Sequence, residues 1–384
     1  MIRLVLAGLV VLAVVIAGFS AIGGGDAPVE SGAVLLRGES DISGFARAFA
    51  PRQWDFPRDF GAHPDYQTEW WYYTGNLQTD DGRHFGYQFT IFRRAISAQN
   101  ADSASEWRTN QVYMAHFGVS DIAGGRYLHE SRLVRGGAGL AGAETEPTLR
   151  VWLEGWQIAG LDPAVTARRI TADAGDFAID LTMQQVKPPA LQGDRGLSAK
   201  SAEPGNASYY YTLSRMPTEG TIRVGGETFT VRGNTWKDHE FSTSALGGDA
   251  YGWDWFGLQF DDGRELMIGQ IRLRDGGRDP YFGGLLIDAD GGTTYLPSDS
   301  FTITATGSWA SPHTGAVYPA GWTVTVTPPG SEAFTFRADP MMADQELHSG
   351  GIAYWEGAVR LSGDVTGFGY AELTGYADSL NGRF

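Results

Sequence analysis

The stretch Gly75-Asn76-Leu77-Gln78-Thr79-Asp80-Asp81-Gly82-Arg83 returns, one residue shorter, as Gly257-Leu258-Gln259-Phe260-Asp261-Asp262-Gly263-Arg264. Each copy follows a Trp-rich run, Trp70-Trp71-Tyr72-Tyr73 and Trp253-Asp254-Trp255-Phe256. Each leads into a segment carrying a Gln, namely Gln88 and Gln270. Short Gly-containing connections between alternating runs are a hairpin signature. Two more blocks recur in the same order. Phe117-Gly118 through Tyr127-Leu128 is echoed by Phe282-Gly283 through Tyr295-Leu296. Tyr209-Tyr210-Tyr211 with Gly220 is echoed by Tyr354-Trp355 with Gly363. Ordered self-similarity of this kind marks an internal repeat. The chain therefore reads as two related halves that meet near Asn234 to Ala250.

Outside the repeat, alternation continues. Thr221-Ile222-Arg223-Val224 and Thr228-Phe229-Thr230-Val231-Arg232 flank Gly225-Gly226, and Trp322 to Thr327 stops at Pro328-Pro329. Only Ile42 to Ala50 reads as a short helix. The composition agrees with an all-β chain: 53 Gly and 12 Trp in 384 residues, with 19% charged residues. That much Gly and aromatic side chain disfavours long helices, and the aromatics argue against disorder. Each half is long enough for eight to ten strands, and a closed sheet leaves no exposed edge. The expected architecture is two antiparallel β-barrels in tandem, with a pair of sandwiches as the alternative.

Net charge is −16, which opposes a general nucleic-acid binder, since that needs a basic footprint. Cys is absent, so disulfides, thiol catalysis, Fe–S clusters and Cys-ligated zinc are excluded. The first 22 residues carry one Arg and then an uncharged apolar run. They read as a signal peptide or an N-terminal membrane anchor. Residues 23–50 read as a linker, 51–240 as the first domain and 241–384 as the second. The expected location is periplasmic or secreted, with anchoring to the inner membrane as one form of it.

Three motifs carry a family resemblance. His63-Pro64-Asp65-Tyr66-Gln67-Thr68-Glu69-Trp70-Trp71-Tyr72-Tyr73-Thr74-Gly75 resembles the opening motif of the AttH-like and carotenoid 1,2-hydratase (hydroxyneurosporene synthase) family. Gly233-Asn234-Thr235-Trp236-Lys237-Asp238-His239-Glu240-Phe241-Ser242 resembles its central motif, and Gly252-Trp253-Asp254-Trp255-Phe256 the start of its second domain. The resemblance runs from about Gln53 to the end. It implies a calycin-type fold of two lipocalin-like domains and, for one branch, addition of water across a terminal double bond of an apolar substrate. Other members are named as secreted hydrolases or are encoded beside ABC-transporter components.

Hydrating an unactivated alkene needs an acid that protonates carbon, aromatic faces for the cation, and a route for water. A carboxylic acid buried in an apolar pocket stays protonated for such work. By position the resemblance assigns this role to Asp254 and His239, with Asp238 beside them. The hydratases carry Trp two positions after the central His, where this chain has Phe241. Candidate ligand contacts are Trp71, Tyr73, His116, Trp236, Phe241, Tyr251, Trp253, Trp255, Tyr354 and Trp355. Strand alternation puts Asp238 and Glu240 on one face and His239 on the other. It likewise sets Asp254 opposite Trp253 and Trp255. His63 reads as a loop hydrogen-bonder, and Gln88 and Gln270 as partners across a barrel interior. No metal is expected, because no His-x-x-x-His or His-Glu-x-x-His spacing occurs, and no cofactor is expected either. No Gly-x-Ser-x-Gly elbow supports a hydrolase. The sequence thus favours a lipophilic small-molecule site near the domain interface with acid-assisted hydratase or cyclase chemistry. The alternative is a carrier without turnover that serves a transporter or envelope system.

Overall fold

The computed structural model describes residues 42–99, 104–243, 248–349 and 351–377. The segment 1–22, read as signal or anchor, lies outside the described residues. So does most of the linker. Ile42 to Ala50 is turn and extended chain rather than helix. Gly44 there takes the left-handed φ of +83°, which ends any helical turn at that point.

Two nearly closed antiparallel sheets make up the molecule, in the manner of a lipocalin-like double barrel. In the first, Thr68–Gln78 pairs on one side with His84–Ala95, which continues through Gln111–Asp121 to Arg126–Arg135. On its other side Thr68–Gln78 pairs with the much later strand Glu227–Ser242, followed by Ala207–Val224, Phe177–Gln184 and Ala167–Asp173. The second sheet repeats this plan. Ala250–Phe260 pairs with Glu265–Leu273 on one side and with the distant Gly367–Leu373 on the other, followed by Tyr354–Gly363 and Phe334–Pro340. The repeated turns therefore occupy equivalent places: Gly75 and Gly257 sit at the same step of the first strand of each sheet. The first sheet's gap is bridged by Arg132, which reaches Glu154 Oε2 and the Asp173 carbonyl, both at 3.3 Å.

Each barrel has its own core. Trp71, Phe89, Phe117 and Trp156 fill the first, and Phe256, Trp322, Phe336 and Trp355 the second. A third apolar layer lies between the two sheets, where Tyr72, Tyr210 and Trp236 meet Trp255, Met267 and Tyr370. The Trp236 and Trp255 rings meet edge-on at 5.9 Å, an arrangement worth about 0.5–1.5 kcal/mol beyond the area buried. Consequently the strands at the seam are buried on both faces. Asn76 crosses the seam to the Gly369 carbonyl at 3.0 Å. Lys187 crosses it to the Glu265 carboxylate at 2.7 Å.

Gly220 and Gly363, matched by the repeat, both adopt positive φ, +151° and +127°. At Gly220 a Cβ would stand 2.1 Å from the Asp180 carbonyl oxygen of the neighbouring strand. Backbone cannot yield there as a flexible side chain could. Gly220→Ala should therefore destabilise the first barrel by about 2 kcal/mol or more, from strain plus a displaced ladder. A denaturant midpoint indistinguishable from the parent would contradict this.

Candidate functional site

Between the two sheets lies a cavity of ≈ 140 Å³. An engineered apolar cavity of about 150 Å³ holds benzene, so this one suits a similarly small apolar group. Its walls come from the outward faces of the seam strands. Trp70, Tyr72, Thr90, Phe92, His116 and Asp238 line it from the first barrel. Trp253, Trp255, Tyr354, Glu356 and Glu372 line it from the second.

Alternation along each strand decides which expected residues arrive. Asp238, His116, Trp253, Trp255 and Tyr354 reach the cavity. Trp236 packs just behind it, donating its indole N–H to Asp238 Oδ1 at 3.0 Å. The others do not reach it. Trp71, Tyr73 and Trp355 point into the barrel cores. Phe241 stacks on His63 inside the first barrel, with ring centroids 3.6 Å apart. Tyr251 is exposed. Gln88 and Gln270 do not share a barrel interior. Gln88 faces the seam and donates to the Tyr354 hydroxyl at 2.8 Å, whereas Gln270 lies inside the second barrel on Asp254.

The pair assigned by resemblance, Asp254 and His239, does not share a cavity. His239 is one residue out of phase with Asp238 and points into the first barrel. Burial, and then the Lys237 charge, push its imidazole down to about 3, so it is neutral. Its Nε2–H donates to Glu69 Oε1 at 2.8 Å, which leaves Nδ1 to accept from the Tyr211 hydroxyl at 2.9 Å. Both nitrogens are committed. Asp254, one residue out of phase with Trp253 and Trp255, faces the second barrel. There Gln270, Arg272 and Tyr376 bond its two oxygens at 2.8–3.1 Å.

Three carboxyl groups facing the cavity are shifted upward. Asp238 is pushed to about 7 by burial, against hydrogen bonds from Thr212, Tyr210 and Trp236. Glu356 is pushed well above the usual carboxylate range by burial and then by the charge of Glu372. Glu372 is raised by burial, against a hydrogen bond from the Trp253 indole at 2.9 Å. Glu356 and Glu372 therefore behave as one pair that holds on to a proton. Glu356 is 1% exposed. Tyr72, Gln88 and Tyr354 surround it. The fourth acid, Glu240, is neutralised by Lys200 at 2.6 Å.

Opposite the pair stands His116, pushed down to about 3 by burial and then by His129, hence neutral. Gln88 donates to the Tyr354 oxygen. The Tyr354 hydroxyl is also hydrogen-bonded to His116 Nδ1, 2.8 Å away. His116 Nε2 has no partner among the described residues. Glu356 and Glu372 were not among the residues expected from sequence. Their one signal is an acid beside aromatics in the repeat strand Tyr354-Trp355-Glu356, the same pattern that drew attention to Asp254.

Among the described residues, one group converges closely enough to hold a metal: His63, Glu69 and His239, with ligand atoms within 4.8 Å. Their contacts are those of a hydrogen-bonded relay. His63 Nδ1 lies 2.8 Å from Glu69 Oε1 and its Nε2 3.1 Å from Asp59, while Arg93 Nε donates to Glu69 Oε2 at 2.9 Å.

Residues 47–376 match the family model described as AttH-like. A crystal structure of a candidate AttH from Nitrosomonas europaea is similar over 86% of this chain and 100% of its own. It has 35% identity and a TM-score of 0.77. Kievitone hydratase from Nectria haematococca shares the fold at 16% identity and TM-score 0.64, over 87% of this chain and 96% of its own. CghA with Sch210972 does so at 10% identity and TM-score 0.51, over 90% of this chain and 98% of its own. No curated protein matches the sequence.

Proposed function

The chain belongs to the AttH-like family, and from that premise we propose that it hydrates an alkene-bearing apolar small molecule held in the cavity between its two barrels. One observation carries this reading. Glu356 is a fully buried carboxyl group set directly across the strand pair from a second acid, Glu372, and walled by aromatic rings. A lone buried carboxylate is costly, so the pair keeps a proton, which makes it an acid at neutral pH. The fold shared with a hydratase supports the reaction class.

In this reaction the Glu356 carboxyl gives its proton to the less substituted alkene carbon. The π bond supplies the electrons for the new C–H bond and leaves a tertiary cation. Trp255 and Tyr72, whose rings meet edge-on at 5.2 Å, face that cation. Water adds to it, and its surplus proton passes to the Glu372 carboxylate. The pair then redistributes that proton and is ready again. The unpaired His116 Nε2 hydrogen-bonds the incoming water and positions it. An internal nucleophile in place of water would give cyclisation by the same steps.

Dimethylallyl alcohol, small enough for the cavity, is a suitable probe. Incubated with the protein in D2O, it should yield the tertiary diol with one deuterium on the carbon next to the new carbinol. Failure of this and longer prenyl alcohols to gain deuterium, while they bind saturably, would leave the carrier reading. The reading of residues 1–22 adds a location to this proposal: the body of the protein acts outside the cytoplasm, where an ABC-transporter partner would meet it. Fractionation of cells expressing the full chain tests that part.

A further inference from the structure

Inside the first barrel, away from the seam, two cations lie with no carboxylate on them. Arg168 enters from the strand Ala167–Asp173 and is 0% exposed. One of its nitrogens reaches Gln185 Oε1 at a long 3.4 Å. Its Nε and Nη1 have no partner among the described residues. The guanidinium lies 4.5 Å from the Phe60 ring centroid. Lys237 comes into the same space from Glu227–Ser242, donating to the Tyr211 hydroxyl and lying 5.8 Å from the same Phe60 ring. Tyr73 stands directly across the strand pair from Lys237. Its hydroxyl is buried and has no partner among the described residues either.

The neighbouring acids are spoken for. Glu69 is bonded by Arg93, His63 and His239, and Asp59 by Arg52 and His63. Asp238, next to Lys237 in sequence, faces the opposite side of the sheet. Hydration is lost on burial, so an ion without a counter-charge in such a place is costly. A cation–π contact with Phe60 offsets only part of that cost. Burial, and then the Arg168 charge, hold the Lys237 ammonium well below its usual range. An anion between the two side chains would reverse that repulsion.

We infer that the first barrel contains an anion site, in which an unpaired N–H of the Arg168 guanidinium, the Lys237 ammonium and the Tyr73 hydroxyl grip one small monovalent anion. Nε–H and Nη1–H point to opposite sides of the guanidinium, so one of them reaches the anion, and that charged donor beside an ammonium suits a halide or a carboxylate. Size selects among these. Phe56 and Phe60 lie 4.8 Å apart, and Phe60 and Tyr211 5.9 Å. This packing suits chloride or formate and not the head of a long chain. The site is separate from the cavity, because Lys237 and Tyr73 lie on the inward phase of strands whose outward phase lines the seam.

Chlorine NMR line broadening tests the assignment on the intact protein. The parent should show saturable excess broadening that formate displaces and decanoate does not. Tyr73→Phe, which removes one donor and changes little else, should weaken chloride binding roughly tenfold. Arg168→Met and Lys237→Met should abolish the saturable component. Should the last two fail to fold, bromide-soaked crystals of the parent give the answer. An anomalous peak within hydrogen-bond distance of Arg168 supports the site, and its absence overturns it. Broadening that is unsaturable, or equal in the parent and Tyr73→Phe, also overturns it.

Discussion

Glu356→Gln is expected to be more stable than the parent above neutral pH and to have lost its turnover. Both effects have one cause. Burial, then the charge of Glu372, raise the Glu356 carboxyl in the folded chain, whereas in the unfolded chain it ionises near its ordinary value of about 4.3. Between those two points the folded state binds more protons than the unfolded state, so parent stability falls as pH rises through that window. Glutamine keeps the shape and cannot ionise. The stability difference, variant over parent, should be near zero at pH 4 and reach about 1–3 kcal/mol by pH 8. Glutamine also cannot donate an acidic proton, so deuterium transfer to the alkene probe should drop at least about 100-fold. Denaturation at several pH values, paired with the deuterium assay, reads both effects. A flat difference across pH would mean that Glu356 is ionised and compensated in the folded protein, and the proton-donor reading would fall with it.

Glu69→Gln should do the reverse. Glu69 is 0% exposed and binds Arg93, His63 and His239 at once. Burial works to raise its carboxyl, but the Arg93 charge and the two imidazole hydrogen bonds outweigh this and hold it well below the usual range. Removing that charge leaves Arg93 buried among the His63 and Tyr66 carbonyls and Gln111, without a counter-ion. Breaking one partner of a buried pair costs about 3–5 kcal/mol. A depressed carboxyl contributes its stability above its unfolded value and loses it as pH falls. The penalty of Glu69→Gln should therefore be largest near pH 7 and shrink below about pH 4. Because Glu69 faces the first core and not the seam, ligand affinity in the cavity should survive under conditions where the variant remains folded. A penalty under about 1 kcal/mol at pH 7 would show that the relay adds little to stability.

Much of the fold was legible because it is written in local chemistry. The two Asp-Asp-Gly-Arg turns and the Trp-rich strands before them take equivalent places in two sheets of the same plan, as their repetition required. Alternation correctly separated Asp238 and Glu240 from His239, and Asp254 from Trp253 and Trp255. The helix expected at Ile42 to Ala50 failed because a left-handed Gly44 interrupts a pattern too short to outweigh it.

A period of two sorts a strand's side chains into two sets but does not say which set is inside. Usually polarity answers that, since one face meets water. At the seam it cannot, because each barrel covers the other and both faces are aromatic: Trp70 beside Trp71, Trp255 beside Phe256. The motifs therefore pointed to His239 and Asp254, while packing turned those two into the barrels and brought Asp238 to Glu356 and Glu372, more than a hundred residues further along the chain. The sequence by itself determined two repeated β-barrels, the family and a store of buried acids and aromatics. Only the docking of one barrel on the other decided which acids lose their water together, and that shared desolvation is what keeps a proton on them.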